Sequence, residues 1–533
     1  MPKQESRESP TPARGDVVPQ TLRAVKPATR GRKPVKWVRP LLALTIIFVA
    51  SRVSYRLAGV QYDSTSLAWF WQYLDPDLLR NALTQSLIHL HSQPPLMNLY
   101  LGIVAKFFPG TETTVFWLSY AALGLSLAYG LYLTLAETGV GWKLAFVLAA
   151  AFTISPACVL YESWLFYAYP IAATLVWTAF FGARFLKTGS LRYGLSTMFA
   201  AAALALTWSL FHVLWLAAIV AFMLVARRRS WRTVLVATAA PLAMVCLWYG
   251  KNLVLFGAFT ASTWTGMNFS KITNGMLSVE ERRQLHDQNV ISDASMIPPF
   301  ARLEDYPSSL AQPAATGIPA LDERMKPSGV PNYNNIAYVA ISRQLGRDAL
   351  NVVAARPVAL ARGLAISWIT FFWPAQDYAF LSQNSGRIAA WARLWDIAAN
   401  GRFVYHTGSP RLADNPWNFY LRYLANCGFF VLLAYLAFLA FGIALLVRRR
   451  WADPAGQALL FIWANVCLLA FVSNAVEVGE NNRFRFVLDP LVLVMIGALV
   501  QSLPARLRRP PALPRRGADG RLPGTPGTTR TKR

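Results

Sequence analysis

An all-α polytopic membrane protein, a bundle of about 10–12 transmembrane helices with extracytoplasmic loops, is the fold class this sequence predicts. Three observations predict it. Several uninterrupted apolar runs reach the roughly 20 residues a helix needs to cross a bilayer. Of 533 residues, 55% are hydrophobic and only 15% charged, too few charges to give such runs polar faces. The charges also cluster in the two tails and in short stretches between runs, where a membrane protein keeps them.

In chain order, residues 1–38 form a basic tail with Arg30, Arg32, Lys33 and Lys36. It is rich in Pro, Gly and Thr, so it reads as disordered. The first apolar run, Leu41–Val60, has no small-residue cleavage site and is read as a retained span, not a signal peptide. An N-terminal membrane module, 39–250, follows with a first outer loop at 61–112. Its further spans are read at 113–135, 143–160, 165–186, 193–208, 210–226 and 233–250. A long extracytoplasmic loop with interfacial helices covers 251–417, and loops of that length are usually functional or disordered. The last spans, at 418–447, 457–475 and 486–503, belong to a C-terminal module at 418–504. A second basic tail occupies 505–533.

Charge orients these ten spans. Arg184, Lys187 and Arg192, then Arg227–Arg229 with Arg232, then Arg448–Arg450 fall between pairs of spans. Ten crossings put all three clusters and both termini in the cytoplasm, with the chain in the cell membrane. Two more apolar segments, Pro94–Phe108 and Pro357–Phe372, would break that arrangement if both crossed. They are therefore read as interfacial or re-entrant.

The net charge of +26 does not indicate nucleic acid, because neither basic tail interleaves aromatic or groove-reading residues. The tails can instead attract anionic lipid head groups. Cys158, Cys246, Cys427 and Cys467 lie far apart without metal-ligand spacing and read as small apolar residues.

Chemistry-bearing residues gather in the predicted outer segments. Asp63, just past the first span, is a candidate general base for a substrate hydroxyl, and equally a helix-capping carboxylate. His89 and His91 are two apart, the wrong spacing for a metal pair on one helix face. One of them, with Gln93, is a candidate to hydrogen-bond substrate or orient Asp63. Glu162 is a second candidate acid, because a carboxylate beside hydrocarbon is paired or functional. Lys251, Arg483 and Arg485 run against the positive-inside bias, which an anionic partner explains. Arginine suits phosphate through its bidentate fork. Glu480 is a substrate contact or an ion-pair partner for these arginines. Trp69, Trp71 and Trp164 are interfacial anchors or sugar platforms. The set suits transfer of a sugar from a lipid-linked phosphate.

Three motifs carry a family resemblance. They are Asp63 in Gly59-Val-Gln-Tyr-Asp63, then His91-Ser-Gln-Pro94-Pro95-Leu96, then Asn482-Arg483-Phe484-Arg485-Phe486 followed by Asp489-Pro490-Leu491. In this order the chain resembles the GT-C glycosyltransferase superfamily. The likeness is to bacterial relatives of protein O-mannosyltransferase and aminoarabinose transferase, of the glycosyltransferase family 39 type. Relatives usually carry the histidine directly before the prolines; here two residues intervene. The resemblance implies a polyprenyl-phosphate-sugar donor, inverting transfer on the extracytoplasmic face and a first-loop aspartate as base. It gives donor-phosphate binding to Lys251, Arg483 and Arg485, and leaves the acceptor open among protein, lipid and glycan. Many members pair two acids in that loop. Ser64 follows Asp63 here, so a divalent metal is possible but not indicated. An outer-leaflet polysaccharide polymerase or ligase shares the same substrate class. A lipid-linked sugar transporter or flippase would show ionisable residues at mid-span or broken half-helices.

Overall fold

Inside hydrocarbon a backbone must satisfy its own N–H and C=O groups, so apolar runs become helices. The computed structural model describes residues 38–404 and 424–507, and among these it is helical without a β-strand. The basic tails up to residue 37 and from 508, and the segment 405–423 at the junction of the long loop with the eighth predicted span, lie outside the described residues.

The chain begins with α1 (Val38–Leu57), α2 (Pro95–Phe107), α3 (Glu112–Glu137), α4 (Trp142–Ile154) and α5 (Pro156–Glu162). It continues with α6 (Ala168–Thr188), α7 (Leu191–Ala205), α8 (Val213–Ala226), α9 (Trp231–Phe256) and α10 (Thr265–Ile272). It ends with α11 (Ala337–Ala355), α12 (Pro357–Phe371), α13 (Phe429–Val447), α14 (Pro454–Val476) and α15 (Asn481–Leu507). Among the described residues seven of these, α1, α3, α6, α9, α13, α14 and α15, are long and apolar enough to cross a membrane. Counting each of two bent pairs as one span raises the number to nine. The protein is therefore an all-α, multi-pass membrane protein.

Among the described residues fewer helices reach membrane length than the ten apolar runs predict. The runs at 193–208 and 210–226 form α7 and α8, only 15 and 14 residues long. At about 1.5 Å per residue each covers roughly 22 Å, short of the ~30 Å hydrocarbon core. The turn around His212 separates them, and its Nδ1 accepts the Leu214 N–H at 3.2 Å to cap α8. The run at 143–160 is also divided. Pro156 lacks an N–H and disfavours helical geometry at Ser155, so α4 and α5 meet at 56°. Ser155 then caps α5 through the Cys158 N–H at 3.2 Å. Pro357 acts likewise, turning α12 through 106° from α11. With α2 only 13 residues long, neither extra apolar segment is a straight crossing.

Side-chain contacts define two ends of the bundle. At one, Glu137 pairs with Arg184 at 3.1 Å and Lys187 at 3.0 Å. Arg227 reaches the Leu186 carbonyl, Gln457 donates to the Ala226 carbonyl, and Gly141 N–H donates to Gln501. The three arginine-bearing turns thus share the end where α1 begins and α15 finishes. At the other end, residues 59–94, the 257–336 segment and the turn at 477–480 fold onto one another. Lys326 donates to the Phe70 carbonyl at 2.8 Å, and Lys271 pairs with Glu477.

Candidate functional site

A cavity of about 630 Å³ opens at this second end, and its walls differ in character. Lys271, Glu477, Glu480 and Arg483 form one side. Leu214 and Ala218 of α8 and Leu468, Val472 and Val476 of α14 form another. Leu214 and Val476 are also exposed on the outside of the helices, so the cavity reaches the surface between α8 and α14. Trp71, stacked on Phe300 at 5.6 Å, supplies an aromatic wall, and Gln72 and Gln93 supply polar ones.

The charged wall is built by the turn between α14 and α15. Gly479 has φ +102°, which favours a residue without Cβ. Asn481 then ties the turn down: its Nδ2 donates to Asn474 and to the Glu477 carbonyl, and its Oδ1 accepts from Thr370 and from the Gly479 N–H. Asn482 donates to the Pro374 carbonyl. These bonds present Arg483 inward. Its guanidinium pairs with Glu480, donates to the Tyr167 hydroxyl at 3.1 Å, and lies about 5 Å from the Phe166 and Phe484 ring centres. Among the described residues its Nε has no hydrogen-bond partner though buried, and neither has the side-chain Oε1 of Gln72.

Burial would push the Glu480 carboxyl up, but the Arg483 and Lys271 charges outweigh it and hold Glu480 below the ordinary carboxylate value. Glu477 goes the other way. Its burial, with the Glu480 charge, raises its pKa despite the Lys271 ammonium. Burial opposes the charge of Lys271, and the two carboxylates keep it protonated. The wall therefore holds two cations, one committed carboxylate and one carboxylate with increased proton affinity. Such a set can grip an oxyanion and accept a proton.

Of the residues singled out in the sequence, Gln93, Glu480 and Arg483 line this cavity. Asp63 does not. Its N–H donates to the Ser163 carbonyl at 2.8 Å and its carbonyl accepts from Leu165, bridging the first loop to the turn after α5. Its Oδ1 accepts from the Thr65 N–H at 2.9 Å and hydroxyl at 2.6 Å, a turn-forming role. Glu162 is a buried ion-pair partner, not an interfacial acid: Arg52 grips it from α1, with 2.9 Å from Nε to Oε1, and the Tyr169 hydroxyl donates to Oε2 at 2.7 Å. His89 ends a short helix, its Nδ1 at 2.9 Å from the Gln85 carbonyl. His91 is fully buried between the Thr263 hydroxyl at 2.7 Å and the Asn334 carbonyl at 2.9 Å. Burial pulls its pKa down to about 3, so it is a neutral strut between loops. Lys251 donates to the Leu90 carbonyl and sits 3.7 Å over the Trp248 ring. Arg485 faces Asp489 at 3.5 Å in a different cavity. Asp75 caps the short helix Pro76–Asn81, accepting from the Asp77 N–H at 2.7 Å.

Sequence reasoning did not single out Lys271 or Glu477 as site residues. Lys271 follows Asn268-Phe269-Ser270, which reads as a glycosylation triplet. The triplet lies instead within α10, with Asn268 and Phe269 lining the cavity and Ser270 buried. Trp71 lines the cavity as a platform would, whereas Trp164 is enclosed by Phe70, Phe166 and Phe380. Among the described residues no three His, Cys, Asp or Glu side chains gather as a metal site. Compared with known proteins, the chain matches no family model, no curated protein and no solved structure.

Proposed function

We propose that this protein is an integral-membrane glycosyltransferase of GT-C type. It moves a sugar from a polyprenyl-phosphate donor to a hydroxyl of a protein, lipid or glycan acceptor on the extracytoplasmic face of the cell membrane. The observation that carries the reading is the single 630 Å³ cavity joining Lys271 and Arg483 to the apolar, outward-reaching faces of α8 and α14. A lipid-linked phosphate has that same division into an anionic head and a hydrocarbon chain. The positive-inside bias puts the arginine-rich end in the cytoplasm and the cavity outside.

In this account Arg483 and Lys271 hold the donor phosphate, and Trp71 faces the sugar. The acceptor oxygen forms a bond to the anomeric carbon as the bond from that carbon to the phosphate oxygen breaks. The bonding pair leaves with polyprenyl phosphate, whose charge the two cations stabilise. The acceptor proton passes to Glu477, the cavity carboxylate with raised proton affinity. A base must lie within reach of its proton, which favours Glu477 over Asp63.

Purified protein in lipid, offered a panel of polyprenyl-phosphate sugars with candidate acceptors, tests this. Turnover is expected for one donor, with Glu477→Gln lowering it by about 10²–10⁴-fold and Asp63→Asn leaving it near wild type. Loss of turnover in Asp63→Asn alone, with fold and donor binding intact, would return the base to Asp63. Failure of the wild-type protein to bind any such donor would remove the class itself.

A further inference from the structure

A second cavity, of about 300 Å³, lies between α4, α13 and α15, away from the charged wall described above. Its surface is mostly hydrocarbon, including Leu148 and Phe152 from α4, Val431 from α13, and Val492 and Ile496 from α15. Among the described residues lining it, Arg485 and Asp489 are the charged ones. The Arg485 side chain is only 2% exposed, and among the described residues its buried Nε and Nη1 have no hydrogen-bond partner. Asp489 approaches Nε at 3.5 Å, too far for a hydrogen bond, and takes its own from the Tyr435 hydroxyl at 3.2 Å. The nearby acids Asp377 and Asp396 do not line the cavity; both pair with Arg402. A buried guanidinium with open donors, facing an apolar chamber, lacks one component: an acceptor that carries its own hydrocarbon.

We propose that this chamber binds an anionic amphiphile, with its oxyanion head at Arg485 and its chain among α4, α13 and α15. The site is distinct from the Arg483 cavity and does not depend on the transferase reading. Arg483 and Arg485, two apart on α15, serve two separate chambers. Asp489 limits the affinity, because its carboxylate faces the same guanidinium.

The test is the stoichiometry and affinity of dodecyl phosphate binding to the purified full-length protein in a non-ionic detergent, with inorganic phosphate as the chain-free probe. Thermal unfolding of each variant monitors folding. Two dodecyl phosphates per chain are expected. Arg485→Gln should remove one and Arg483→Gln the other. Ala434→Phe, which adds bulk to the α13 wall of the chamber, should weaken the Arg485 site at least tenfold, and Asp489→Asn should tighten it. Inorganic phosphate should compete poorly. The proposal is overturned if binding is unchanged in both Arg485→Gln and Ala434→Phe, or if Asp489→Asn weakens it. Inorganic phosphate binding as tightly as dodecyl phosphate would also overturn it, because the ligand would then be a free oxyanion. A single dodecyl phosphate per chain, removed by Arg485→Gln and unaffected by Arg483→Gln, would count against the transferase cavity and leave this one standing.

Discussion

Arg483 shows how much one side chain's meaning depends on its partners. Its sequence position against the positive-inside bias makes it legible as an anion ligand, and Glu480, three residues earlier, is legible as its pair. Both line the large cavity. Arg483 is buried while the Glu480 side chain keeps 28% exposure, so removing one member leaves the other undercompensated at a cost of roughly 1–3 kcal/mol. Arg483→Gln should therefore destabilise the protein, and adding Glu480→Gln should recover much of the stability while donor binding stays lost. A thermal-unfolding series with a donor-binding assay separates the two effects. His91 carries a different lesson. The sequence marks it as chemistry, but both of its ring nitrogens are occupied, and its pKa near 3 lies below the ordinary 6.5. Unfolded chains bind this proton first, so stability is full above about pH 6.5 and falls as pH drops toward 3, by up to ~1.4 kcal/mol per pH unit. Chemical-denaturation curves between pH 6.5 and 5 should show this slope in wild type and lack it in His91→Gln. Equal slopes would contradict the strut.

Helices obey the same logic of partners at larger spacing. The apolar runs mark all seven membrane-length helices among the described residues, because hydrocarbon leaves a backbone few options. Boundaries failed where polar punctuation was weak. Between Leu191 and Ala226 the residues are apolar almost throughout, and only the turn around His212 divides them. The packing of α3 against the α5–α6 corner turns on Gly124, where an added Cβ would lie 2.2 Å from Glu162 Oε2 and 2.7 Å from the Tyr169 hydroxyl. Gly124→Ala must push apart the Arg52–Glu162–Tyr169 network, with an expected loss of about 1–3 kcal/mol by unfolding measurements. Gly250→Ala, where an added Cβ meets nothing within 4 Å, is the control that should change little.

The whole molecule reads as two ends with different work. One gathers Glu137, Arg184, Lys187 and Arg227, the end that the proposed orientation faces to the cytoplasm. The other gathers loops that are far apart in sequence, and this is where sequence reading stops. Lys271 and Glu477 pair across 206 positions, and His91 and Asn334 across 243, so no local spacing announces them. Motifs such as Asn482-Arg483-Phe484-Arg485 were visible, but only the fold divides Arg483 from Arg485 between two cavities. The measurement that tests the central claim most directly is the structure of the protein in a lipid nanodisc with a polyprenyl phosphonate analogue of the donor. The account predicts the phosphonate within hydrogen-bonding distance of Arg483 and Lys271, with the prenyl chain leaving between α8 and α14. A head group bound instead at the arginine-rich end, or at neither cavity, would contradict it.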